Sequence, residues 1–503
     1  MPVPEHEQSA QQLRELLRLL SSAVETLLHE RDVAPNSKLS GKENKDVTGS
    51  TSYAEYNAVK VIRAALGSLE SLVLDPHDLL LGFSSSYLLS RALHIVAEQN
   101  IAEHLAQGGQ DGLHVSHLAN ISGIEEGKLC RIMRALVSNQ IFIETQEGRF
   151  TNNHVSQALV DDDAFRAIIM MKYVDRNANS QDVDTSRGRV HYSASDFLLS
   201  VLTYPMVGHS YEPTETAFQQ AAGTQLPLFD WLHEKVPESD TKWRPQSSRM
   251  HPAEDGRFPL GSSAQRMVPR PEKQLFESAM AGLGRGNELS EIHDFPWNEL
   301  CDNATIVDVG AGTGAFCMQL NAHYPTFQLV MQDKAPVVER AVTIWNRQCP
   351  SAVSGGKVSF TVHDFFEKNP VENAEVYWLR HILHDWADAE AVDILSCIRS
   401  SMGTDSRFLI TEILMKTTVA SDEVEAAPDP LLANYGQAMN FAHTMDLNML
   451  MMTNGMERSP AEFGRLVHAA GLIMTRIWEC RGPLSIIECR MPQIVEREFT
   501  RQI

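Results

Sequence analysis

The chain has 503 residues, a formal net charge of −22 at neutral pH and a hydrophobic content of 43%. At this length two or three domains are expected rather than a single core. The acidic balance argues against binding to nucleic acid or to anionic membranes, because both require a basic face. It favours no particular neutral partner.

The seven cysteines are scattered and form no C-x-x-C pair, which indicates a reducing compartment and no zinc site. The N-terminus is acidic and lacks the apolar core of a signal peptide. We find no run of about 20 apolar residues and expect no membrane-spanning segment. The predicted location is the cytoplasm, and no metal ion is expected.

The N-terminal third is predicted to be mainly helical. Residues 1–32 carry leucines at spacings of three and four, which predicts an amphipathic helix that packs against protein. A membrane-surface helix would carry more basic residues opposite its apolar stripe. Residues 33–52 are polar and turn-rich, so a flexible linker is predicted there.

A mainly α domain is predicted over 53–270. Within it, three helical patterns near 78–106, 115–119 and 125–137 precede two short strands, which is the layout of a winged helix. The third helix mixes acidic and basic side chains, whereas a helix that reads DNA would be basic. Polar residues at 172–192 and the proline-rich stretch at 233–272 are predicted to be loop or irregular chain.

Strands and helices alternate in the last domain, 271–503, which predicts a mostly parallel sheet covered by helices. Two final apolar strands are joined at Arg481-Gly482-Pro483, and a tight hairpin there would make the last strand antiparallel. The expected class is therefore α/β with a mostly parallel sheet of seven strands. The strands are predicted at 305–309, 328–332, 358–362, 375–379, 408–412, 473–479 and 484–489.

The first of these strands runs into a glycine turn, Gly310-Ala-Gly-Thr-Gly314. Glycines at 310, 312 and 314 let a ligand approach the backbone, although a plain turn with positive φ would use them too. Asp333 ends the next strand, about 20 residues on, where dinucleotide-binding folds grip a ribose. The G-x-G-x-G spacing differs from the hydride-transfer fingerprint and argues against NAD. Asp308 would lie beside the turn, or hydrogen-bond its amides.

The third strand ends at His363-Asp-Phe-Phe366, beside the position of a cofactor base in a doubly wound sheet. Asp364 could accept an adenine amino group, and Phe365 could supply an apolar wall. The alternative is a capping aspartate followed by two core phenylalanines.

Together with Leu379-Arg-His-Ile-Leu-His-Asp-Trp386 and Thr411-Glu412, these motifs occur in one order. The chain resembles the S-adenosylmethionine-dependent O-methyltransferases of the caffeate/isoflavone type, especially their fungal secondary-metabolite branch. The resemblance covers about 78–490. It implies an N-terminal winged-helix dimerisation domain, a Rossmann-like catalytic domain, a homodimer, and an aromatic acceptor that carries a phenolic hydroxyl.

Carried over by position, the resemblance assigns the cofactor S-adenosyl-L-methionine to one set of residues and the acceptor to another. The set for the cofactor is Asp308, Gly310, Gly312, Gly314, Asp333, Asp364, Phe365 and Arg380. Arg380 replaces the lysine usual in plant relatives, which keeps the charge and changes the geometry. The weaker set for the acceptor is Asn448, Met449 and Met452, although methionines at helical spacing are more often core filler.

His384 follows the fourth strand of this domain at its carboxyl edge and matches the family's catalytic base. A histidine suits this task because a phenol must lose its proton before or during methyl transfer. Glu412 and Glu457 match the two carboxylates that orient it. Outside this context His384 would begin a helix capped by Asp385, and Glu457 would be a charge before the capping box of Ser459 and Glu462. His381 is interpreted as structural.

An intact glycine turn with His384 and Glu412 favours an enzyme over a non-catalytic scaffold that binds the cofactor and a protein partner.

Overall fold

The computed structural model describes residues 5–33, 51–109, 111–173, 190–238, 266–286, 289–420 and 424–492. These form two compact units. Unit 1 falls within 1–76, 287–450 and 454–503, and unit 2 within 77–286 and 451–453. This grouping differs from the predicted domains, because the first 76 residues group with the C-terminal sheet. Most of the predicted linker at 33–52 lies outside the described residues.

Unit 1 begins with two helices, α1 (Glu5–Val33) and α2 (Tyr53–Val73). Their shared apolar face buries Leu16 completely and packs on the loop around Leu431. The Tyr56 hydroxyl donates to the carbonyl of Gly482 at 2.9 Å, which ties α2 to the turn between the last two strands. The predicted amphipathic helix therefore packs against protein, as expected, and its partner surface lies in unit 1.

The winged-helix prediction is confirmed in unit 2. A three-stranded antiparallel sheet, ordered β1-β3-β2, packs with four helices. The helix predicted over 78–106 is two helices, because Asn100 adopts φ 49° and breaks the chain direction. The elements are α3 (Pro76–Glu98), α4 (Ile101–Gln107), β1 (Leu113–His114), α5 (Val115–Ser122), α6 (Glu126–Ser138), β2 (Phe142–Gln146) and β3 (Arg149–Asn152).

Helix α3 exposes a row of large apolar side chains. Leu80, Leu81 and Phe83 are each more than 60% exposed, and Tyr87 and Leu88 more than half. Of the described helices, α3 is the one whose length and apolar composition would suffice to cross a bilayer. The expected lack of a long apolar run is therefore wrong for this helix, and the expected absence of a membrane-spanning segment stays a prediction. Exposed apolar area of this extent marks an interaction surface.

The other described elements of unit 2 are helices and one antiparallel pair of short strands, β4 and β5. Of the two stretches predicted as loop and irregular chain, residues 174–189 and 239–265 lie outside the described residues. The elements are α7 (Asp163–Tyr173), α8 (Val190–Thr203), α9 (Ala217–Ala222), α10 (Leu228–His233), β4 (Lys235–Pro237), β5 (Met267–Pro269) and α11 (Pro271–Gly286).

Unit 1 contains the predicted seven-stranded sheet, in the order β11-β12-β10-β9-β6-β7-β8. The five strands from β6 to β10 are parallel to one another, whereas β12 runs antiparallel to both β10 and β11. The strands are β6 (Thr305–Val309), β7 (Gln328–Asp333), β8 (Val358–Val362), β9 (Val376–Arg380), β10 (Arg407–Ile413), β11 (Ile473–Glu479) and β12 (Leu484–Arg490). The predicted fold class is confirmed.

Two hydrophobic clusters cover the two faces of this sheet. Successive residues of β6 alternate between them, with Ile306 in one cluster and Val307 in the other, as a strand buried on both faces requires. Besides α1 and α2, the helices of unit 1 are α12 (Glu291–Asp294), α13 (Ala315–His323), α14 (Ala335–Gln348), α15 (Pro350–Ser354), α16 (Asp388–Arg399), α17 (Asn440–Thr453) and α18 (Pro460–Ala469). The last three residues of α17 group with unit 2. Short 3-10 turns occur at Ser156–Leu159, Val207–His209, Trp297–Glu299, Leu383–Asp385 and Gly436–Met439.

All seven cysteines are free thiols. The reducing compartment and the cytoplasmic location both stay predictions.

Candidate active site

The predicted site residues meet at one edge of the sheet. Gly310 follows β6, Asp333 ends β7, Asp364 follows β8, Arg380 ends β9, and Glu412 lies near the end of β10. Because these five strands are parallel, their carboxyl ends form a common edge, which is where α/β sheets bind ligands.

The glycine turn has both properties that its sequence suggested, a backbone with positive φ and room for a ligand to approach. Gly310, Gly312 and Gly314 have φ of 74°, 56° and 83°, so each needs a left-handed conformation. A Cβ at Gly314 would collide with buried Met331, whereas a Cβ at Gly312 would meet no atom within 4 Å. Gly314 therefore serves internal packing, and Gly312 faces open space that a ligand could fill.

Asp333 joins this turn to β7. Its Oδ2 accepts the amide of Gly312 at 2.8 Å, and its Oδ1 accepts the amide of Lys334 at 2.7 Å. Each carboxylate oxygen can accept more than one hydrogen bond, so a carboxylate at this position suits a ribose diol. The turn, the acid and the N-terminus of α13 thus fit the cofactor that the sequence implied.

Asp308 and Arg380 have other partners in the structure. Asp308 is buried and accepts the Cys317 thiol at 3.2 Å, so it does not cap the loop amides as the alternative proposed. Burial raises the pKa of Asp308 to about 7, against the Cys317 hydrogen bond and the charge of Arg380. Arg380 donates its Nε to buried Glu291 at 2.9 Å. This ion pair holds the guanidinium at the end of β9.

After β8, Asp364 and Phe365 stand beside an aromatic group. The rings of Phe365 and Phe366 each meet Trp386 edge to face, at 6.1 and 4.9 Å between centroids. Asp364 is exposed and accepts the amide of Phe366 at 3.0 Å, which is a local turn contact. The aromatic group supplies an apolar wall next to the exposed carboxylate of Asp364, and the assignment to adenine stays a prediction.

His384 lies between two buried carboxylates. Its Nδ1 is 2.9 Å from Glu457 Oε1 and 3.6 Å from Glu412 Oε2. The Nε2 atom is 3.9 Å from Asp385 Oδ2, and the side chain is 14% exposed. The predicted triad of His384, Glu412 and Glu457 is therefore assembled. The helix-start interpretation is wrong, because α16 begins at Asp388 and its N-cap is Ala387.

The electrostatics of this triad favour the charged imidazole. Burial by itself lowers the pKa of His384, but the charges of Glu412, Asp385 and Glu457 outweigh it and raise the pKa to about 10. Burial also raises the pKa of Asp385 to about 6 and that of Glu412 to about 7, each opposed by His384. A neutral imidazole at this position would be an unusually strong base.

His381 differs from His384 in the direction of its pKa shift. Burial, with the charges of Arg380 and His384, lowers its pKa well below 6.5. Its Nδ1 is buried and has no hydrogen-bond partner among the residues that the structure describes. Ligand atoms of His381, His384 and Glu412 lie within 4.8 Å of one another, a spacing that a metal ion could use. The predicted absence of a metal therefore stays a prediction.

The residues that hold the His384 loop were not predicted from the sequence. Arg458 donates to the carbonyls of Leu383 and Trp386 at 2.8 and 2.7 Å. Gly455 passes so close that a Cβ there would lie 1.9 Å from the carbonyl oxygen of His384. The available signals were a glycine and an arginine flanking the predicted Glu457. The capping box of Ser459 and Glu462 is present as expected.

The residues predicted for the acceptor do not share one environment. Asn448 and Met449 are partly buried on α17. Met452 is 1% exposed and packs in a hydrophobic cluster of unit 2 that includes Phe218 and Trp231. This is core packing rather than a surface open to a ligand, so an acceptor role has support at most for Asn448 and Met449.

Comparison with known proteins gives the family. The O-methyltransferase domain model matches 292–473, and the O-methyltransferase dimerisation domain model matches 81–162. O-methyltransferase tpcA of Aspergillus fumigatus is 38% identical over 96% of this chain and 97% of its own. The chain belongs to the O-methyltransferase family. O-methyltransferase gedA of Aspergillus terreus is 37% identical, with the same coverage of both chains.

Solved structures support the fold of this family member. A complex of OxaC with SAH and oxaline gives a TM-score of 0.61 at 19% identity, covering 94% of this chain and 100% of that one. An enzyme titled "A Pericyclic Reaction enzyme" gives 0.61 at 17%, covering 93% and 100%. Because such distant likeness shows the fold alone, the reaction rests on the sequence relatives. The methyl donor of this family is S-adenosyl-L-methionine, the predicted cofactor.

Proposed function

We propose that this O-methyltransferase methylates a phenolic hydroxyl of an aromatic secondary metabolite, with His384 as the general base. The observation that carries the proposal is the position of His384, 2.9 Å from one buried carboxylate and 3.6 Å from another at the carboxyl edge of the sheet. Two carboxylates around one imidazole make it a strong proton acceptor beside the expected ligand crevice.

The chain's residues would divide the work as follows. When bound, S-adenosyl-L-methionine supplies a methyl group already activated by its sulfonium charge. The glycine turn and Asp333 would hold it, with Asp364, Phe365 and Arg380 as further candidates and Asp308 beneath the turn. His384 would take the hydroxyl proton at Nε2, because Nδ1 is engaged by Glu457. Glu412 and Glu457 would orient the ring and stabilise the imidazolium.

The proton affinities of the two partners are well matched. The pKa of His384 is raised to about 10, and a phenol ionises near the same value. Proton transfer between them would therefore cost little free energy in either direction. Because the base acts from its neutral form, kcat should rise with pH through the pKa of His384.

We infer a homodimer as the working assembly. The dimerisation model covers 81–162, and α3 exposes its large apolar side chains within that range. A second subunit would cover this surface, which a lone chain leaves to water.

An acceptor screen with isotope-labelled cofactor, read by mass spectrometry, tests methyl transfer itself. A scaffold that only binds cofactor and a protein partner would bind S-adenosyl-L-methionine and transfer no label to any phenol. The base assignment is tested on an active acceptor. His384→Ala should retain cofactor affinity by calorimetry and lose roughly 10²–10⁴ in kcat.

The matched control is His323→Ala, which removes an exposed histidine whose Nδ1 contacts only its own helix at 2.9 Å. It should keep the rate. If His384→Ala turned over like wild type, the base would have to be another group.

A further inference from the structure

We propose that Arg458 is a positioning residue, which sets the place of the catalytic imidazole by holding the backbone on both sides of it. The inference rests on the proposed role of His384 and concerns a residue that does not itself face the reacting atoms. Four observations carry it: the burial of the guanidinium, its backbone partners, the opposing contacts of Glu412, and the anchoring of Arg458 itself.

The Arg458 side chain is fully buried, although arginine keeps its charge at any working pH. Burying such a charge is costly unless its donors are used. The carboxylate that pairs with it among the described residues, Asp388 at 3.0 Å, has a side chain that is 59% exposed, so that pair is partly screened by water. An ion pair with such an exposed carboxylate does not by itself account for the burial of the Arg458 guanidinium.

The buried partners are backbone carbonyls. Nη1 donates to Leu383 at 2.8 Å and Nη2 donates to Trp386 at 2.7 Å. These two residues bracket His384 and Asp385 in the 3-10 turn Leu383–Asp385. The planar guanidinium presents its donors in a fixed fork, so it fixes the separation of the two carbonyls.

Glu412 holds the same loop from its other side. Its Oε1 accepts the amides of Ile382 and Leu383 at 2.9 and 2.8 Å. The loop amides thus meet a carboxylate from β10, and the loop carbonyls meet a cation. Glu412, already assigned as an orienting group, therefore holds the N–H groups of the loop, and Arg458 holds its carbonyl groups.

Arg458 is itself fixed to the sheet. Its carbonyl accepts the amide of Met415 at 2.9 Å, directly after β10. The residue before it, Glu457, supplies the carboxylate that contacts the imidazole of His384. Consecutive residues therefore hold the side chain and the backbone of the base. A loosened fork would move Nδ1 away from Glu457 and Nε2 away from the acceptor.

The test is a double-mutant cycle on kcat with His384→Ala, measured in single turnovers with labelled cofactor and an acceptor found by the screen. Arg458→Gln should lower kcat about 10- to 100-fold, as a misplacement on the order of 1 Å does, and change the cofactor Kd less than about threefold. In the His384→Ala background the same substitution should have no further effect on kcat, because the two residues act as one unit.

Arg458→Lys is the second variant, because a charged lysine is more easily accommodated in the fold. One ammonium cannot reproduce the fork to both carbonyls, so the loss of kcat should persist in part. By NMR, the pKa of His384 should fall in both variants as its contact with Glu457 loosens.

The matched control is Arg481→Gln. Arg481 is also mostly buried and donates to a carboxylate, Asp294, and to a backbone carbonyl, Thr51. It should lose stability without loss of kcat. Equal losses from Arg458→Gln with and without His384 would overturn the proposal, as would a wild-type kcat in that variant. If His384→Ala itself kept the wild-type rate, the proposed function would fail first.

Discussion

Glu457→Gln is the sharpest perturbation of the electrostatics around the base, because it removes one charge and keeps the shape. Unit charges 2.9 Å apart attract by ~6 kcal/mol at an effective dielectric of about 20, which is an upper limit for the lost interaction. The glutamine carbonyl can still accept the Nδ1 proton. We therefore expect the pKa of His384 to fall by ~2 units, on the order of 3 kcal/mol.

The sign of the pH effect follows from this shift. In wild type the pKa is raised from 6.5 to about 10, so the imidazolium stabilises the fold fully below pH 6.5, and this stability is lost as pH rises through about 10. In Glu457→Gln the loss should come at lower pH. The rising limb of kcat should also move ~2 pH units lower, and its plateau should drop about tenfold because the base is weaker.

Two assays measure the effect. NMR titration of labelled histidine gives the pKa of His384, with His384→Ala to assign its signal, and single turnovers across pH 6–10 give the rate profile. Glu462→Gln is the control, since Glu462 lies in the same segment and its carboxylate caps α18 at Ser459. An unshifted His384 titration in Glu457→Gln would refute the argument that this carboxylate raises its pKa.

Three further variants test other parts of the molecule. Gly312→Ala forces alanine into a backbone with φ of 56°, so it should lower the free energy of unfolding by ~1–2 kcal/mol and weaken cofactor binding, measured by calorimetry. Gly356→Ala is the control, because Gly356 has φ of 66° and open space around it. This control should lose the same stability and keep its cofactor affinity. Burial raises the pKa of Asp308 from 3.8 to about 7, so the wild type should lose up to ~4 kcal/mol of unfolding free energy as pH rises from about 4 to 7. Asp308→Asn should abolish this loss, measured by denaturant unfolding across that pH range. Leu16→Ala, at 0% exposure, should speed hydrogen exchange in α1 and α2, and Leu17→Ala, at 60%, should not.

Each of these results has a contrary outcome. Equal cofactor affinity in Gly312→Ala and Gly356→Ala would mean that no ligand approaches Gly312. An unchanged pH slope in Asp308→Asn would place the titrating group elsewhere. Similar exchange in the Leu16 and Leu17 variants would mean that α1 does not rest on the surface described.

The regular parts of unit 1 could be predicted because their determinants are local. Strands buried on both faces are continuous apolar runs, and the strand ends agree with the prediction to within about two residues. The glycine turn, Asp333 and the histidine motif carry recognisable spacing. The triad of His384, Glu412 and Glu457 was available only through the family resemblance, since 73 residues separate His384 from Glu457.

The contacts that could not be predicted depend on partner residues that leave no pattern in the sequence. The stripe on α1 requires burial but does not say against which surface, and the structure places Leu16 against residues near Leu431. Arg458 binds backbone carbonyls, which every residue possesses, so an arginine next to Glu457 in the sequence does not by itself say what it holds. Met452 was predicted to contact the acceptor but lies in a core, because methionines at helical spacing occur both in cores and in pockets.

The packing of α1 and α2 on unit 1 has a consequence for synthesis and for protein production. Leu16 leaves the ribosome about 400 residues before Leu431, a delay of roughly 20 to 80 s at ~5–20 residues per second. Over that time the apolar side of the helical pair has no surface to cover, and a chaperone or a neighbouring chain can take its place. An expressed fragment that starts at 289 would never acquire the pair. We expect such a fragment to aggregate unless 5–73 is supplied separately.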